Sequence, residues 1–65
     1  MYISSGTVKK IFKEAGAHRV SAEAADDMRN YLNKIAFRTA QKAVKLSKHA
    51  RRKTVELSDV KLARD

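Results

Sequence analysis

The sequence has no cysteine and no proline, only two glycines, and only two tyrosines and two phenylalanines as aromatic residues. Without cysteine, disulfides and thiolate zinc sites are excluded. His18 and His49 lie 31 residues apart, which is a poor basis for a metal site. Because turn-forming residues are scarce, the chain is expected to be mostly helical. We therefore predict an all-α protein without a metal or other cofactor.

Enzymatic motifs are also missing. The sequence has no glycine-rich phosphate loop and no spaced nucleophile–base pair, and Ser47 and His49 are two residues apart, so they point away from each other on a helix. No run approaches the ~20 apolar residues of a membrane span. Met1–Ser5 does not have the basic and apolar regions of a signal peptide. We expect a cytoplasmic protein that is not an enzyme.

Positive charge is abundant and clustered. Fifteen Lys and Arg residues against seven Asp and Glu residues give a net charge of +8, which predicts a polyanionic partner, either nucleic acid or an anionic membrane surface. Residues 38–53 contain seven basic residues and no acidic one. The pattern indicates a phosphate-binding surface, the alternative being a solvated face that keeps a small protein soluble. One helical face carries the series Lys34, Arg38, Lys42, Lys45 and Lys48.

Hydrophobic periodicity predicts three helices. The first runs from about Ser5 to Ala15, capped by Ser4 or Ser5 and ended by Gly16. The second runs from Ala22 to about Ala50 after the N-cap Ser21. The third begins near Ser58 as N-cap and stops at Asp65. Residues 53–57 read as a loop with a short strand pairing.

The second predicted helix is long for such a short chain. Its 29 residues would span about 43 Å, whereas a compact monomer of this length is roughly 28 Å across. A domain of 65 residues is also marginal when it folds alone. We therefore expect an obligate dimer in which two copies of this helix cross. The alternative is a break near Asn30 or Asn33, giving a three- or four-helix monomer.

Two stretches carry a family resemblance. Residues 13–21 read KEAGAHRVS, residues 43–55 read AVKLSKHARRKTV, and Asp59 follows Arg52 by seven positions. This pattern resembles archaeal histones over about residues 8–63, and is similar to the fold domain of eukaryotic core histones. The resemblance implies a single histone-fold domain over residues 1–65. It also implies a handshake homodimer that binds double-stranded DNA and bends or wraps it, with further assembly along DNA to tetramers or polymers.

The resemblance assigns roles to particular cations. Arg19 matches a loop arginine that enters the minor groove, Lys53 and Thr54 match groups that bind phosphate, and Lys10 matches a basic position facing the central phosphates. Together with the charge clusters, this predicts a DNA-binding surface. Its members are Lys9, Lys10, Lys13, Arg19, Lys45, Arg51, Arg52, Lys53 and Thr54.

Other positions match structural roles in that family. Arg52 and Asp59 match an internal ion pair that holds the second loop, which connects the second and third predicted helices. Leu46, His49 and Asp59 match a contact through which dimers join. Arg51 stands where the family frequently has glycine.

Two other functions remain open from the sequence. A histone-fold chain can serve as a subunit of a regulatory or adaptor complex and pair with a different chain. A basic amphipathic helix can also bind a membrane surface, although the acids and caps of the long helix suit a folded domain. The main expectation is a chromosome-associated protein of the nucleoid that compacts DNA without reading its sequence.

Overall fold

A computed structural model describes residues 2–64 of the chain. Over that range the chain forms three α-helices, α1 (Ser5–Glu14), α2 (Ala22–His49) and α3 (Leu57–Arg64), and no β-strand. The all-α prediction and the short–long–short order are confirmed. The predicted helix end at Asp65 lies outside the described residues. No helix within residues 2–64 is long and apolar enough to cross a membrane.

Serine side chains cap the first two helices, as predicted. The Ser4 hydroxyl accepts a hydrogen bond from the Thr7 backbone N–H at 3.2 Å. The Ser21 hydroxyl accepts one from the Ala24 N–H at 3.0 Å. Each bond satisfies a backbone donor that has no partner inside its helix.

The third helix starts differently from the prediction. It begins at Leu57, so Ser58 lies inside the helix and is not the N-cap. The preceding residue, Glu56, accepts hydrogen bonds at its carbonyl from the N–H groups of Asp59 and Val60. The Asp59 carboxylate in turn accepts the Glu56 N–H at 2.8 Å. This is one half of a capping box, with Asp59 three residues after the cap.

The predicted strand pairing in residues 53–57 is wrong for the described chain. The loop's backbone groups are taken by side chains: Arg52 donates to the Thr54 carbonyl and Asp59 accepts from the Glu56 N–H. A strand would need those groups for a ladder.

Helix α2 is continuous over 28 residues, about 42 Å at ~1.5 Å per residue. The alternative break near Asn30 or Asn33 does not occur. Asn33 is buried, and its amide bonds the N-terminal segment: it accepts the Ile3 N–H at 2.8 Å and donates to the Ile3 carbonyl at 3.4 Å. The side chain therefore holds another segment instead of competing with its own helix.

The chain divides into two compact units between Lys34 and Ile35, inside α2. In the first unit, Val8 and Ala25 are fully buried. Phe12 of α1 and Met28 and Leu32 of α2 are half-buried in the same unit.

The second unit buries mainly small side chains. Its buried apolar residues are Ala43 and Ala63, and its buried polar residues are Ser47 and Asp59. Larger apolar side chains stay exposed on the same unit, namely Ile35, Phe37, Val44, Val55, Leu57, Val60 and Leu62. Much of the apolar surface that the periodicity predicted is thus uncovered in the isolated chain.

Two helix ends share one geometry but use different residues. After α1, Gly16 adopts φ 110°, its N–H bonds the Lys13 carbonyl, and the Ala17 N–H bonds the Phe12 carbonyl. After α2, Arg51 adopts φ 58°, its N–H bonds the Lys48 carbonyl, and the Arg52 N–H bonds the Ser47 carbonyl. Both are Schellman motifs, in which the left-handed position favours glycine. Arg51 therefore holds a strained backbone at the start of the second loop.

Arg51→Gly should raise the free energy of unfolding by about 0.5–1 kcal/mol, because relief of the left-handed strain exceeds the added entropy of glycine. Gly16→Ala should lower it by about 1 kcal/mol, since an added Cβ would meet nothing within 4 Å and only the backbone resists. Urea unfolding at one fixed chain concentration measures both. Arg51→Ala is the matched control: it removes the charge and keeps the strain, so a gain equal to that of glycine would contradict this account.

Candidate nucleic-acid interface

Four of the exposed cations of the first unit lie on α1 and in the loop after it. Lys9, Lys10 and Lys13 are exposed on α1, and Arg19 is exposed in the loop between Gly16 and Ser21. The apolar side chains Val8 and Phe12 turn inward from the same helix. The helix therefore presents lysine ammonium groups to solvent, where they can meet phosphate oxygens.

The second loop, between α2 and α3, carries three of the second unit's cations. Arg51, Lys53 and Thr54 are exposed, and Lys45 is exposed one turn and a half before the loop. Arg52 differs, because it is half-buried and turned toward α3. The loop thus exposes Arg51 and Lys53 on either side of an inward-facing arginine.

Arg52 and Asp59 form a bidentate ion pair, as predicted. The guanidinium nitrogens donate to the two carboxylate oxygens at 2.8 Å and 2.7 Å. The Asp59 side chain is only 4% exposed and that of Arg52 is 31% exposed. Two parallel charged hydrogen bonds of this length set orientation as well as distance.

The pair is the centre of a wider network that closes the loop. Arg52 also donates to the Thr54 carbonyl at 3.1 Å and lies 3.2 Å from the Glu56 carboxylate. The hydroxyl of buried Ser47 donates to the Arg52 carbonyl at 3.1 Å. Helix α2, the loop and the first turn of α3 are therefore tied to one another by side chains.

The network also shifts the protonation equilibria of the pair. Hydrogen bonds from Arg52 and from the Glu56 N–H lower the pKa of Asp59 from 3.8 to about 2. The hydrogen bond to Asp59 raises the pKa of Arg52. Because two carboxylates already surround its guanidinium, Arg52 serves the loop's structure more than it offers charge to a ligand.

The residues predicted to join dimers are only partly brought together. Half-buried Leu46 and exposed His49 line one groove of about 450 Å³ with Lys42, Lys45, Leu62 and Ala63. Asp59 does not line this groove, and both of its carboxylate oxygens bond within the chain.

Sequence reasoning misses two structural residues of this site, Ser47 and Glu56. In the sequence, Ser47 is considered only as a nucleophile without a base, yet its hydroxyl bonds the Arg52 carbonyl and fixes the loop. The available sign is a serine within the last turn of a helix. Glu56 is not evident as the cap of α3, since glutamate is an uncommon N-cap. Across residues 2–64, no three His, Asp or Glu side chains come together where they could hold a metal ion.

Comparison with known proteins gives consistent matches. The family model described as histone-like transcription factor (CBF/NF-Y) and archaeal histone matches residues 1–63. A relative from Methanocaldococcus jannaschii, named "Probable archaeal histone 3", is 50% identical over 54 residues, covering 83% of this chain and 81% of the relative. A relative from Thermococcus zilligii, named as one subunit of the archaeal histone HAN1, is 41% identical over 56 residues, covering 86% of this chain and 84% of the relative. These matches confirm the resemblance seen in the two loop stretches.

The ion pair predicts a pH dependence of stability. Because Asp59 has a lower pKa in the folded chain than its ordinary 3.8, its contribution should be complete above about pH 5. It should decline as the pH falls through 4 toward 2, where the folded carboxylate protonates. Thermal unfolding between pH 2 and pH 7 at one chain concentration measures this. Asp59→Asn should be less stable at pH 7, and its difference from the natural chain should shrink toward pH 2; a constant difference would contradict the assignment.

Proposed function

Since the chain belongs to the family of histone-like transcription factors and archaeal histones, we propose that it is an architectural protein that bends or wraps double-stranded DNA as a homodimer. Membership implies DNA binding and the pairing of histone folds, in a family of structural proteins rather than enzymes. The chain would act on the chromosome in the nucleoid, without a cofactor.

The second loop is the observation that carries this proposal. Arg51 and Lys53 are exposed on a backbone that the Arg52–Asp59 pair and Ser47 hold in place. Because the loop is already fixed in the free protein, its cations can bind phosphates without a further loss of backbone conformational entropy. Lys53 and Thr54 would bind phosphate oxygens, and Arg52 would act by holding the loop.

The exposed cations of the first unit would complete the surface. Lys9, Lys10 and Lys13 would contact phosphates from α1. Arg19 would enter the minor groove, where narrowing strengthens the negative potential. Binding of this kind releases counterions from the DNA backbone and depends steeply on salt. Sequence preference would come from DNA deformability alone.

Arg19→Ala and Lys53→Ala should each weaken binding to all duplexes by a similar factor. Each should reduce the magnitude of the slope of log K against log salt by about 1, as for one lost phosphate contact. Fluorescence anisotropy on three duplexes of unrelated sequence, over a salt series, measures both quantities. Lys61→Ala removes an equal charge from an exposed position of α3 outside the proposed surface and should change binding less. A loss confined to one duplex would argue for base reading instead.

Uncovered apolar surface supports the homodimer. In the second unit, α2 residues Ala36, Ala40 and Val44 line a groove of about 430 Å³ with Val55 and Val60. All three helix positions are exposed. Burying apolar area of this kind stabilises by ~25 cal/mol per Å², and a second copy supplies a matching apolar face.

The alternative is a chain that pairs with a different histone fold. The name of the relative from Thermococcus zilligii describes it as one subunit of a larger protein, and the family description includes transcription factors. Such a chain would have the same apolar groove uncovered before it binds its partner. The folding and oligomeric state of the isolated chain therefore distinguish the two functions.

The purified chain should be a folded dimer of twice 7.3 kDa, with a melting temperature that rises with chain concentration. Ala40→Glu should abolish the dimer, because it places an unpaired charge in the apolar groove. Gln41→Glu adds the same charge one residue away, outside that groove, and should leave the dimer intact. Native mass spectrometry and circular dichroism provide the readouts. An unfolded or monomeric natural chain would support pairing with a different chain.

Assembly along DNA belongs to the same proposal. The groove lined by Leu46 and His49 would receive a second dimer. Asp59 would contribute indirectly, by holding α3 where Leu62 completes the groove.

A further inference from the structure

A second groove of the second unit is lined by cations that the proposed DNA surface mostly leaves unused. It has a volume of about 390 Å³ and lies between α2 and α3. Four of its eight lining residues are basic: Arg38, Lys42 and Lys45 from α2 and Arg64 from α3. Ile35 and Ala63 contribute apolar surface, and none of the lining residues is acidic.

The charges of this groove are not balanced within the described chain. Over residues 2–64, the ion pairs involve only Arg29 and Arg52 as cations. Arg38 and Lys42 are four residues apart and Lys42 and Lys45 three apart, so like charges are neighbours on one helix face. Such spacing destabilises a helix. A groove that concentrates uncompensated positive charge favours an anionic ligand.

The arrangement fits a line of phosphates better than a single small anion. The three α2 cations rise about 6 Å and then 4.5 Å along the helix axis, at ~1.5 Å per residue. Together the three cations span about 10.5 Å, which is about three steps of the ~3.4 Å axial rise between successive phosphates of one DNA strand. Flexible Lys and Arg side chains can cover the remaining difference. Arg38 and Lys42 lie eleven and seven residues before His49, the last residue of α2, or roughly 16 Å and 10 Å along the axis. These two cations therefore lie away from the second loop, whereas Lys45 belongs to both surfaces.

We propose that this groove is a second phosphate-binding surface, which holds the backbone of another DNA duplex while the loops and α1 hold the first. This inference rests on the proposed function. The protein would then bridge duplexes as well as bend them. Lys42 and Lys45 also line the groove of Leu46 and His49, so a second duplex and a second dimer would compete for the same two lysines.

The test measures bridging separately from binding. A biotinylated duplex on magnetic beads captures a fluorescent duplex through the protein, and anisotropy on one dilute duplex reports ordinary binding. The substitution Arg38→Gln removes a groove cation that lines neither the groove of Leu46 and His49 nor the apolar groove of the proposed homodimer, and that is not part of the proposed DNA surface. The matched control, Lys48→Gln, lowers the net charge equally at an exposed position that does not line the groove. Circular dichroism checks that both variants keep their helices.

The groove variant should keep single-duplex affinity close to that of its control and lose capture of the second duplex by roughly threefold to tenfold at 0.1 M salt. The salt slope of capture should fall by about 1. Equal capture by the two variants would overturn the inference while leaving the proposed function intact. If the natural chain binds no duplex at all, the proposed function fails as well.

A second copy of the chain is the competing occupant. The exposed acids Glu23, Asp26 and Asp27 at the start of α2 could be drawn to the same cations. Sedimentation without DNA separates this case: larger species that the groove variant alone abolishes would assign the groove to self-association and overturn the duplex assignment. An unchanged mass in both variants, together with lost capture, supports the second duplex.

Discussion

The bidentate contact between Arg52 and Asp59 organises the second unit. It joins the residue just after α2 to the first turn of α3, and its carboxylate also accepts the Glu56 N–H that opens α3. The same guanidinium also donates to the Thr54 carbonyl, which ties the middle of the loop to the pair. Exposed Arg51 and Lys53 are presented by this closed loop, and the grooves beside α3 exist because α3 is held there. The two charges stabilise the unit mainly by orienting its backbone.

The backbone strain at Arg51 lies next to the hydrogen bonds that offset it. Arg51 occupies a left-handed position that glycine fills after α1, yet it is followed by the most heavily bonded residue of the loop. The Ser47 hydroxyl donates to the Arg52 carbonyl, and the Ser47 carbonyl accepts the Arg52 N–H. Two hydrogen bonds therefore fix the same turn. A charged side chain at Arg51 thus adds to the cationic loop at a conformational cost that neighbouring contacts offset.

Sequence patterns predict the elements better than their ends. Ser4 and Ser21 are predictable caps because a serine directly before an apolar period has few other uses. Ser58 is wrongly predicted as the N-cap of α3 for the same reason, because it has the preferred side chain. The N-cap is Glu56, two residues earlier, whose N–H bonds the Asp59 carboxylate of the ion pair. Asn33 suggests a break because asparagine competes with helical hydrogen bonds. Its actual partner, Ile3, lies 30 residues away and is invisible to a local pattern.

The helical class, the order and approximate bounds of the helices, the excess of positive charge and the pairing of Arg52 with Asp59 can all be read from the amino-acid sequence. They follow from periodicity, composition and a recognisable loop motif, which are local or statistical properties of the chain. Other features arise only in the folded chain: Arg52 faces inward while Arg51 and Lys53 face solvent, Ser47 fixes the loop, and one groove is surrounded by Arg38, Lys42, Lys45 and Arg64. Burial and charge clustering depend on how α2 and α3 pack, because residues distant in sequence become neighbours only when that packing is complete.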